Sequence, residues 1–124
     1  MKKLTTMLCY LVACAAITSC LHNDHDISIT FQDSEHEYSM KAYFPKSRTR
    51  DVAEYMNSSI GRKNNISFTN TQMDATLTLD DHTIFYMKKN PGFLEIKLNK
   101  EQNSDESLEE IKSMCQGIKK ELAH

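Results

Sequence analysis

The chain has 124 residues, with 15 basic and 17 acidic side chains, five histidines and a formal net charge of −2. This length suits one domain with one modest core, and the slightly acidic balance argues against a nucleic-acid-binding surface and against attachment to anionic lipid by charge alone. No Gly-x-Ser-x-Gly elbow, His-Glu-x-x-His pair or phosphate loop occurs, and only three glycines are present to shape ligand loops.

The N-terminal residues 1–19 have the order of a secretory signal peptide. Lys2 and Lys3 provide a positive start, residues 4–16 form an uncharged apolar run, and small residues lead to Cys20. The apolar run is shorter than the roughly 20 residues that a membrane-spanning helix needs. We therefore expect residues 1–19 to be cleaved off.

The four residues Ile17-Thr18-Ser19-Cys20 resemble the lipobox of bacterial lipoproteins, in which an aliphatic residue and two small residues precede a cysteine. The resemblance implies that the Cys20 thiol receives a diacylglycerol, that cleavage occurs before Cys20, and that its new amino group takes a further acyl chain such as palmitate. Two or three chains make a stable membrane anchor, whereas one is marginal. The alternative is an ordinary secretory signal with a coincidental cysteine.

The residue after the lipobox is Leu21 and not Asp, which by the sorting rule of enteric-type lipoproteins implies the outer membrane, facing the periplasm. Residues 20–26 are then the lipidated cysteine and a short tether that reaches only roughly 20 Å. The single domain of residues 27–124 should sit close to its membrane. Over residues 20–124 there are 13 basic and 17 acidic side chains, a net charge of about −4.

The tether holds His22 and His25 with Asp24 and Asp26, a grouping that suggests a metal site. Two histidines at i and i+3 in a flexible tether are weak evidence for a metal site when no further residues are placed to orient them. We therefore expect no metal and no cofactor. Removal of the signal leaves Cys115 as the one free cysteine, which excludes an intrachain disulfide. Because Cys115 falls on the apolar face of a predicted helix, we expect a buried structural thiol.

Two stretches after the tether, residues 27–31 and 38–44, alternate apolar and polar side chains, as half-buried strands do. The polar residues 33–37 between them predict a turn, so the pair should form an antiparallel hairpin. His36 lies in this turn and should be solvated. Pro45 should end the second strand because it cannot donate a ladder hydrogen bond.

A helix is predicted next. Thr49 is the predicted N-cap, apolar residues recur at helical spacing as far as Ile60, and Gly61 is the predicted terminator. Four cations flank this helix. Two interpretations are open: a binding site for phosphate or an acidic partner, or an ordinary solvated surface. We favour the solvated surface, since the two helix ends lie roughly 15 Å apart. The four cations are Arg48, Arg50, Arg62 and Lys63.

The region 65–99 has the pattern of three strands joined by tight turns, which predicts an antiparallel meander. Residues 73–79, 83–88 and 94–98 alternate, and the sequence leaves open whether residues 65–79 form one bent strand or two short ones. The segment Asn90-Pro91-Gly92 fits a type II turn.

A compact set of potential acid, base or metal-binding groups lies in and beside the turn before the second of these strands. It lacks the loop pattern of an EF-hand and any second His or Cys that would close a zinc site. We therefore expect a solvated hairpin tip. The set is Asp74, Asp80, Asp81 and His82.

A final helix begins at Asn103 or Ser104, with acidic residues early and lysines late, which complements the helix dipole. Its apolar stripe should pack on one face of the sheet, although docking of a partner helix is the alternative. The stripe contains Leu108, Ile111, Met114, Cys115, Ile118 and Leu122.

The predicted order ββαβββα is typical of an α+β fold: an antiparallel sheet of about five strands with two amphipathic helices in a two-layer sandwich. The sheet face away from the helices would be polar, and either wet or in contact with a partner. Its predicted residues are Ser28, Thr30, Ser39, Lys41, Thr76, Thr78, Glu95 and Lys97.

Three classes of function are compatible with these patterns. The preferred one is a non-catalytic protein-interaction module of the cell envelope, either an accessory subunit of an envelope machine or an inhibitor or immunity-type protein. The second is a periplasmic small-ligand or lipid-binding lipoprotein, which predicts an apolar pocket between sheet and helices. The third is a hydrolase, which predicts that a histidine, an acid and a nucleophile converge in a cleft. We expect no catalytic residues and a protein partner rather than a nucleic acid.

Overall fold

The computed structural model describes residues 27–69 and 72–124 of the chain. Cys20 and the tether residues His22, Asp24, His25 and Asp26 lie outside the described residues. The predicted α+β fold is confirmed: the elements follow the order ββαβββα. They are β1 (Ser28–Asp33), β2 (Glu37–Tyr43), α1 (Thr49–Met56), β3 (Met73–Thr78), β4 (Ile84–Asn90), β5 (Phe93–Asn99) and α2 (Asp105–Leu122).

The five strands form one antiparallel sheet in the order β1-β2-β5-β4-β3. The predicted hairpin of β1 and β2 therefore joins the predicted meander of β3, β4 and β5 along the β2–β5 boundary. This pairing puts β5, the last strand in sequence, at the centre of the sheet. The strands β1 and β3 are its edges.

The core lies between one face of the sheet and the two helices. Met40, Ile96 and Met87 are neighbours across β2, β5 and β4, and all three side chains are fully buried. Val52 and Met56 of α1 pack into the same cluster. Side chains of α2 complete it, namely Ile111, Met114, Cys115, Ile118 and Leu122. The space between the two layers is thus occupied by protein side chains.

Helix α1 departs from its predicted limits at both ends. Its start is preceded by the 3-10 turn Lys46–Arg48, and Thr49 lies inside the helix instead of capping it. The Thr49 hydroxyl instead accepts the Gly92 N–H at 2.9 Å. At the other end, Gly61 has a helical φ of −66° and does not terminate the helical region as predicted. A 3-10 turn follows Gly61, and Asn65, which has a left-handed φ of 62°, ends that turn.

Gly61 has a packing role in place of a terminating one. A Cβ at this position would lie 2.6 Å from the Ile66 carbonyl oxygen, so only glycine lets the returning chain come this close. In the stretch 65–79, whose number of strands the sequence left open, the described residues 65–69 and 72–79 contain one short strand, β3 (Met73–Thr78). Phe68 is buried outside that strand, and its N–H donates to the side-chain oxygen of Asn57 at 2.7 Å.

Two local predictions are confirmed by the structure. Gly92 has a φ of +78°, as the third position of a type II turn requires. Ser104 is the N-cap of α2, and its hydroxyl accepts the Ser107 N–H at 3.0 Å. Neither helix described by the structure is long and apolar enough to cross a bilayer.

Candidate functional site

Among the described residues, no helix or strand covers the sheet face turned away from the helices, and we call this the open face. All eight residues predicted for this face lie on it, because cross-strand partners share a face and the register joins them. One row crosses all five strands and alternates in charge after its first residue. The row consists of Thr30, Lys41, Glu95, Lys88 and Asp74.

An aromatic pair lies at one end of the open face. Tyr43 of β2 and Phe93 of β5 are cross-strand partners whose ring centroids are 5.0 Å apart. Tyr43 is 51% exposed. Among the described residues it is the one large hydrophobic side chain that is exposed. An aromatic pair with one half-exposed ring, within a polar sheet face, is the composition that protein interfaces favour.

A third aromatic residue on the open face is fixed by its neighbours. The hydroxyl of Tyr86 donates to the Asp74 carboxylate at 2.7 Å, and the Lys97 ammonium lies 6.0 Å from the Tyr86 ring centroid. The hydrogen bond to Asp74 raises the pKa of Tyr86 to about 12. Lys97 also lies 3.7 Å from the Glu95 carboxylate. The side chains of β4 on this face were not part of the predicted set. Their alternation with the buried Phe85 and Met87 nevertheless indicates that they face away from the helices.

The outer edge of β1 is a second feature of this surface. Strand β1 pairs with β2, and in the described part of the chain no strand pairs with its other side. An unpaired edge presents backbone donors and acceptors to which another strand can add. Because β1 follows the tether directly, this edge is also the part of the described domain nearest in sequence to Cys20.

The turn between β1 and β2 is tied to helix α2 by charge. The Asp33 carboxylate pairs with the ammonium groups of Lys100 and Lys112. These two lysines, Lys100 first, lower the pKa of Asp33. His36 of the same turn is exposed, as predicted, and its ring nitrogen pairs with the Glu101 carboxylate. This cluster fastens a hairpin end to the helical layer.

The acidic turn before β4 is a solvated tip, as expected. Asp80, Asp81 and His82 are exposed, and His82 has a φ of +74°. The Asp81 side chain accepts the Thr83 N–H at 3.1 Å, and hydrogen bonding by Thr83 lowers the pKa of Asp81. Asp74 is not part of this tip, since it lies on the open face. Over residues 27–69 and 72–124, no three His, Cys, Asp or Glu side chains are grouped to hold a metal ion.

The four cations around α1 do not converge. Arg48 pairs with Asp51 at 3.0 Å and donates to the Glu121 carbonyl oxygen at 2.8 Å, so it ties the helix start to the end of α2. Lys63 pairs with Glu110 at 2.9 Å at the opposite end of the helix. Arg50 lines a cavity between the start of α1 and the β4–β5 turn. The alternative interpretation of these four cations as one binding site is therefore not supported, and the preferred interpretation was a solvated surface.

The cavity beside Arg50 was not foreseen from the sequence. Its volume is about 360 Å³, and Lys89 of β4 contributes to its wall although only 4% of that side chain is exposed. Burial lowers the pKa of Lys89. The predicted strand ended at residue 88. If the alternation that buries Phe85 and Met87 is continued by two residues, position 89 also faces the helices. The lining residues are Lys46, Ser47, Thr49, Arg50, Ala53, Gln72, Lys89 and Pro91.

Cys115 is a buried free thiol, which confirms the structural role expected for it. Burial raises the pKa of Cys115 to about 12, so the thiolate that nucleophilic chemistry needs is strongly disfavoured. The histidines His36, His82 and His124 are all exposed and lie in different parts of the fold. These three histidines therefore do not converge with the Cys115 thiol in one cleft, as the hydrolase hypothesis would need.

Comparison of the chain with protein-family models, with curated proteins and with solved structures gives no significant match.

Proposed function

We propose that the protein is a bacterial envelope lipoprotein, anchored through acyl chains on Cys20, that acts as a non-catalytic protein-interaction module. The observation that carries the proposal is the aromatic pair of the open face, Tyr43 and Phe93, of which Tyr43 is 51% exposed. The open face is the contact surface for a protein partner, and the β1 edge extends it.

The charges of the open face favour a protein as the occupant. Lys41, Glu95 and Lys88 lie side by side on neighbouring strands, so positive, negative and positive groups follow each other across the sheet centre. A partner surface with the inverse order of charges fits this row, and wrong partners are rejected by like-charge contacts. The aromatic pair beside the row supplies apolar area at small entropic cost, as hot-spot residues do.

The anchor determines where the partner is met. Residues 21–26 span roughly 20 Å at most, so the open face stays near the membrane that holds Cys20. We place the protein in the outer membrane, facing the periplasm, with a partner that is itself membrane-bound or comes to the membrane. An accessory subunit of an envelope machine and an inhibitor or immunity-type protein both fit this description.

The two alternative functions find less support in the fold. A lipid carrier needs an apolar cavity between sheet and helices, and in the part of the chain that the structure describes buried side chains form a core there. A hydrolase needs a histidine beside an acid and a nucleophile in a cleft, and His36, His82 and His124 are exposed and apart.

The test is cross-linking in living cells with a photoreactive phenylalanine analogue at position 43. The matched control places the same analogue at Ser113, which is exposed on helix α2. We expect one dominant protein adduct from position 43 and none from position 113, identified by mass spectrometry after membrane solubilisation. The Phe93→Ala variant should reduce the position-43 adduct by about tenfold. This corresponds to a loss of roughly 1.4 kcal/mol of binding free energy when an aromatic side chain is removed from an interface.

The Cys20→Ala variant tests the anchoring part of the proposal. It should leave the membrane fraction and lose the position-43 adduct. Retention of the variant in the membrane would contradict lipidation at Cys20. Equal adducts from positions 43 and 113, or none from either, would contradict the open face as a docking surface.

A further inference from the structure

The charged row of the open face is complementary to its own reverse. Along the strands β2, β5, β4 and β3 its members are Lys41, Glu95, Lys88 and Asp74, so the signs run positive, negative, positive, negative. In the opposite direction the same row runs negative, positive, negative, positive. When the row faces its reverse, every position therefore meets the opposite charge.

We propose that the open face binds the open face of a second copy of this chain, in a dimer with two-fold symmetry. The inference rests on the proposed function, because it names the occupant of that docking surface. In the dimer Lys41 lies opposite Asp74 of the second copy, and Glu95 lies opposite Lys88. Two-fold symmetry repeats each of these contacts, which gives four ion pairs along one row.

The order of charges selects one direction for the two-fold axis. Two copies present the same face to each other when the axis lies in the plane between their sheets. An axis parallel to the strands, between β5 and β4, reverses the row and makes the four ion pairs. An axis parallel to the row would place each charge opposite itself. Like charges in contact are unfavourable, so the first axis is preferred.

The position at which β1 begins selects the same axis independently. Rotation about an axis parallel to the strands keeps corresponding strand ends at the same end of the dimer. Ser28, the first residue of β1, therefore lies at the same end in both copies. Both tethers then lead toward one membrane, as anchoring of two copies side by side requires. The axis parallel to the row would direct the two tethers to opposite ends.

The rows on either side of the charged row also fit this axis. On one side Lys97 lies opposite Tyr86 of the second copy. That contact repeats between copies the arrangement within one copy, where the Lys97 ammonium lies 6.0 Å from the Tyr86 ring centroid. On the other side Phe93 lies opposite Asn90, which brings the aromatic pair into the interface. No like charges meet in either row.

The charges of the open face are balanced and available. Within the described chain, Glu95 is the one member of the charged row that forms an ion pair, with Lys97 at 3.7 Å. The face has equal numbers of lysines and carboxylates, so a second copy is not repelled there although the whole chain has a net charge of −2. The charged residues of the face are Lys41, Lys88, Lys97, Glu37, Asp74 and Glu95.

The twist of the two sheets is compatible with these contacts. Facing sheets cross at about 30°, which offsets the central pair of Glu95 and Lys88 by only about 1 Å. Lys41 and Asp74 lie roughly 7 Å from the axis and are offset by about 4 Å, which a lysine side chain spans. Four short strands make a small interface, so we expect weak association that a shared membrane strengthens by raising the effective concentration.

The experiment is carbodiimide cross-linking of the full chain in the membranes of cells that produce it, followed by mass spectrometry. Carbodiimide joins an ammonium to a carboxylate without a spacer. Within one copy, Lys41 and Asp74 are separated by two strands and lie roughly 14 Å apart. A link between Lys41 and Asp74 therefore reports a second copy, and we expect it in the wild type.

Charge reversal near the axis tests the order of the row. Lys88→Glu and Glu95→Lys each place like charges opposite one another twice, and each should lower the yield of the Lys41–Asp74 link about tenfold or more. Both changes in one chain, or the two single variants produced together, restore opposite charges and should restore the link. Rescue by the second chain does not arise from repaired folding, because each chain keeps its own substitution. The matched control, Lys120→Glu on the exposed side of α2, should leave the yield unchanged.

The outcomes separate this proposal from the proposed function. If the link forms and is rescued as described, the dominant position-43 adduct should be the chain itself. Absence of the Lys41–Asp74 link, or equal yields from the wild type and both single reversals, would overturn the second copy as the occupant. A position-43 adduct with a different protein would then leave the docking function standing, whereas absence of any adduct as well would overturn both.

Discussion

At the scale of the residue, the Tyr38 hydroxyl is in an unfavourable environment. Its oxygen is buried, and among residues 27–69 and 72–124 it has no hydrogen-bond partner. The Cys115 thiol and the Gln116 side chain lie beside it, but without the geometry of a hydrogen bond. Burial raises the pKa of Tyr38 well above its usual range, since a phenolate there would lose its hydration.

Replacing Tyr38 by Phe should therefore stabilise the domain. A buried hydroxyl without a hydrogen-bond partner destabilises the folded state by about 1–3 kcal/mol. Removal of the hydroxyl with retention of the ring should recover part of this free energy. We expect the free energy of unfolding of Tyr38→Phe to exceed that of the wild type by about 1 kcal/mol, measured by urea denaturation.

The matched control for this substitution is Tyr86→Phe on the open face. There the lost hydroxyl donates to Asp74 at 2.7 Å in contact with solvent, so the variant should be equally stable or slightly less stable than the wild type. A Tyr38→Phe variant that is destabilised more than Tyr86→Phe would show that the buried hydroxyl is satisfied in solution.

At the scale of the element, helices α1 and α2 meet where Tyr55 lies against Gly117. A Cβ at position 117 would overlap the Tyr55 hydroxyl oxygen, so the glycine lets the two helices approach. Glycine inside a helix costs about 1 kcal/mol relative to alanine. The close contact explains why the helix carries one despite that cost.

The Gly117→Ala variant should separate these two effects. In the wild-type background the clash outweighs the propensity gain, and we expect a loss of about 1–3 kcal/mol in the free energy of unfolding. In a Tyr55→Ala background the clash is absent, and the same change should stabilise by up to about 1 kcal/mol. A double-mutant cycle by urea denaturation measures the difference. An effect of the same sign in both backgrounds would mean that Tyr55 does not contact position 117.

At the scale of the whole molecule, Asp33 links the sheet to the helical layer and should make stability depend on pH. Lys100 and Lys112 lower the pKa of Asp33 in the folded protein. A lowered folded pKa adds stability above the unfolded value, near 3.8, and this stability is lost as the pH falls through the folded value. Asp33 is 44% exposed, so solvent screening keeps the contribution below about 1 kcal/mol.

We expect Asp33→Asn to be less stable than the wild type at neutral pH and equally stable in strong acid, where both carry a neutral side chain. Thermal unfolding across this pH range measures the difference. Glu35→Gln is the matched control in the same turn, because Glu35 pairs with His36 instead of with the two lysines. A constant difference between Asp33→Asn and the wild type at all pH values would exclude the ion pairs as its cause.

Part of the candidate site was predictable because its signal is local. The alternation of β1, β2 and β5 assigned Thr30, Lys41 and Glu95 to one polar face, and their positions depend only on near neighbours in sequence. The order of charges across the sheet was not predictable, since Lys41, Glu95 and Lys88 become neighbours only through the register of three strands that are separate along the chain.

The sequence by itself determined the α+β class, the polar face of the sheet, the N-cap at Ser104 and the burial of Cys115, because periodicity and capping act over a few residues. Only the tertiary structure decided that Thr49 holds the β4–β5 turn, that Gly61 admits a returning chain and that Lys89 lines a cavity. Each of these depends on segments brought together by long-range packing, and a local pattern does not specify which distant segment will be the neighbour.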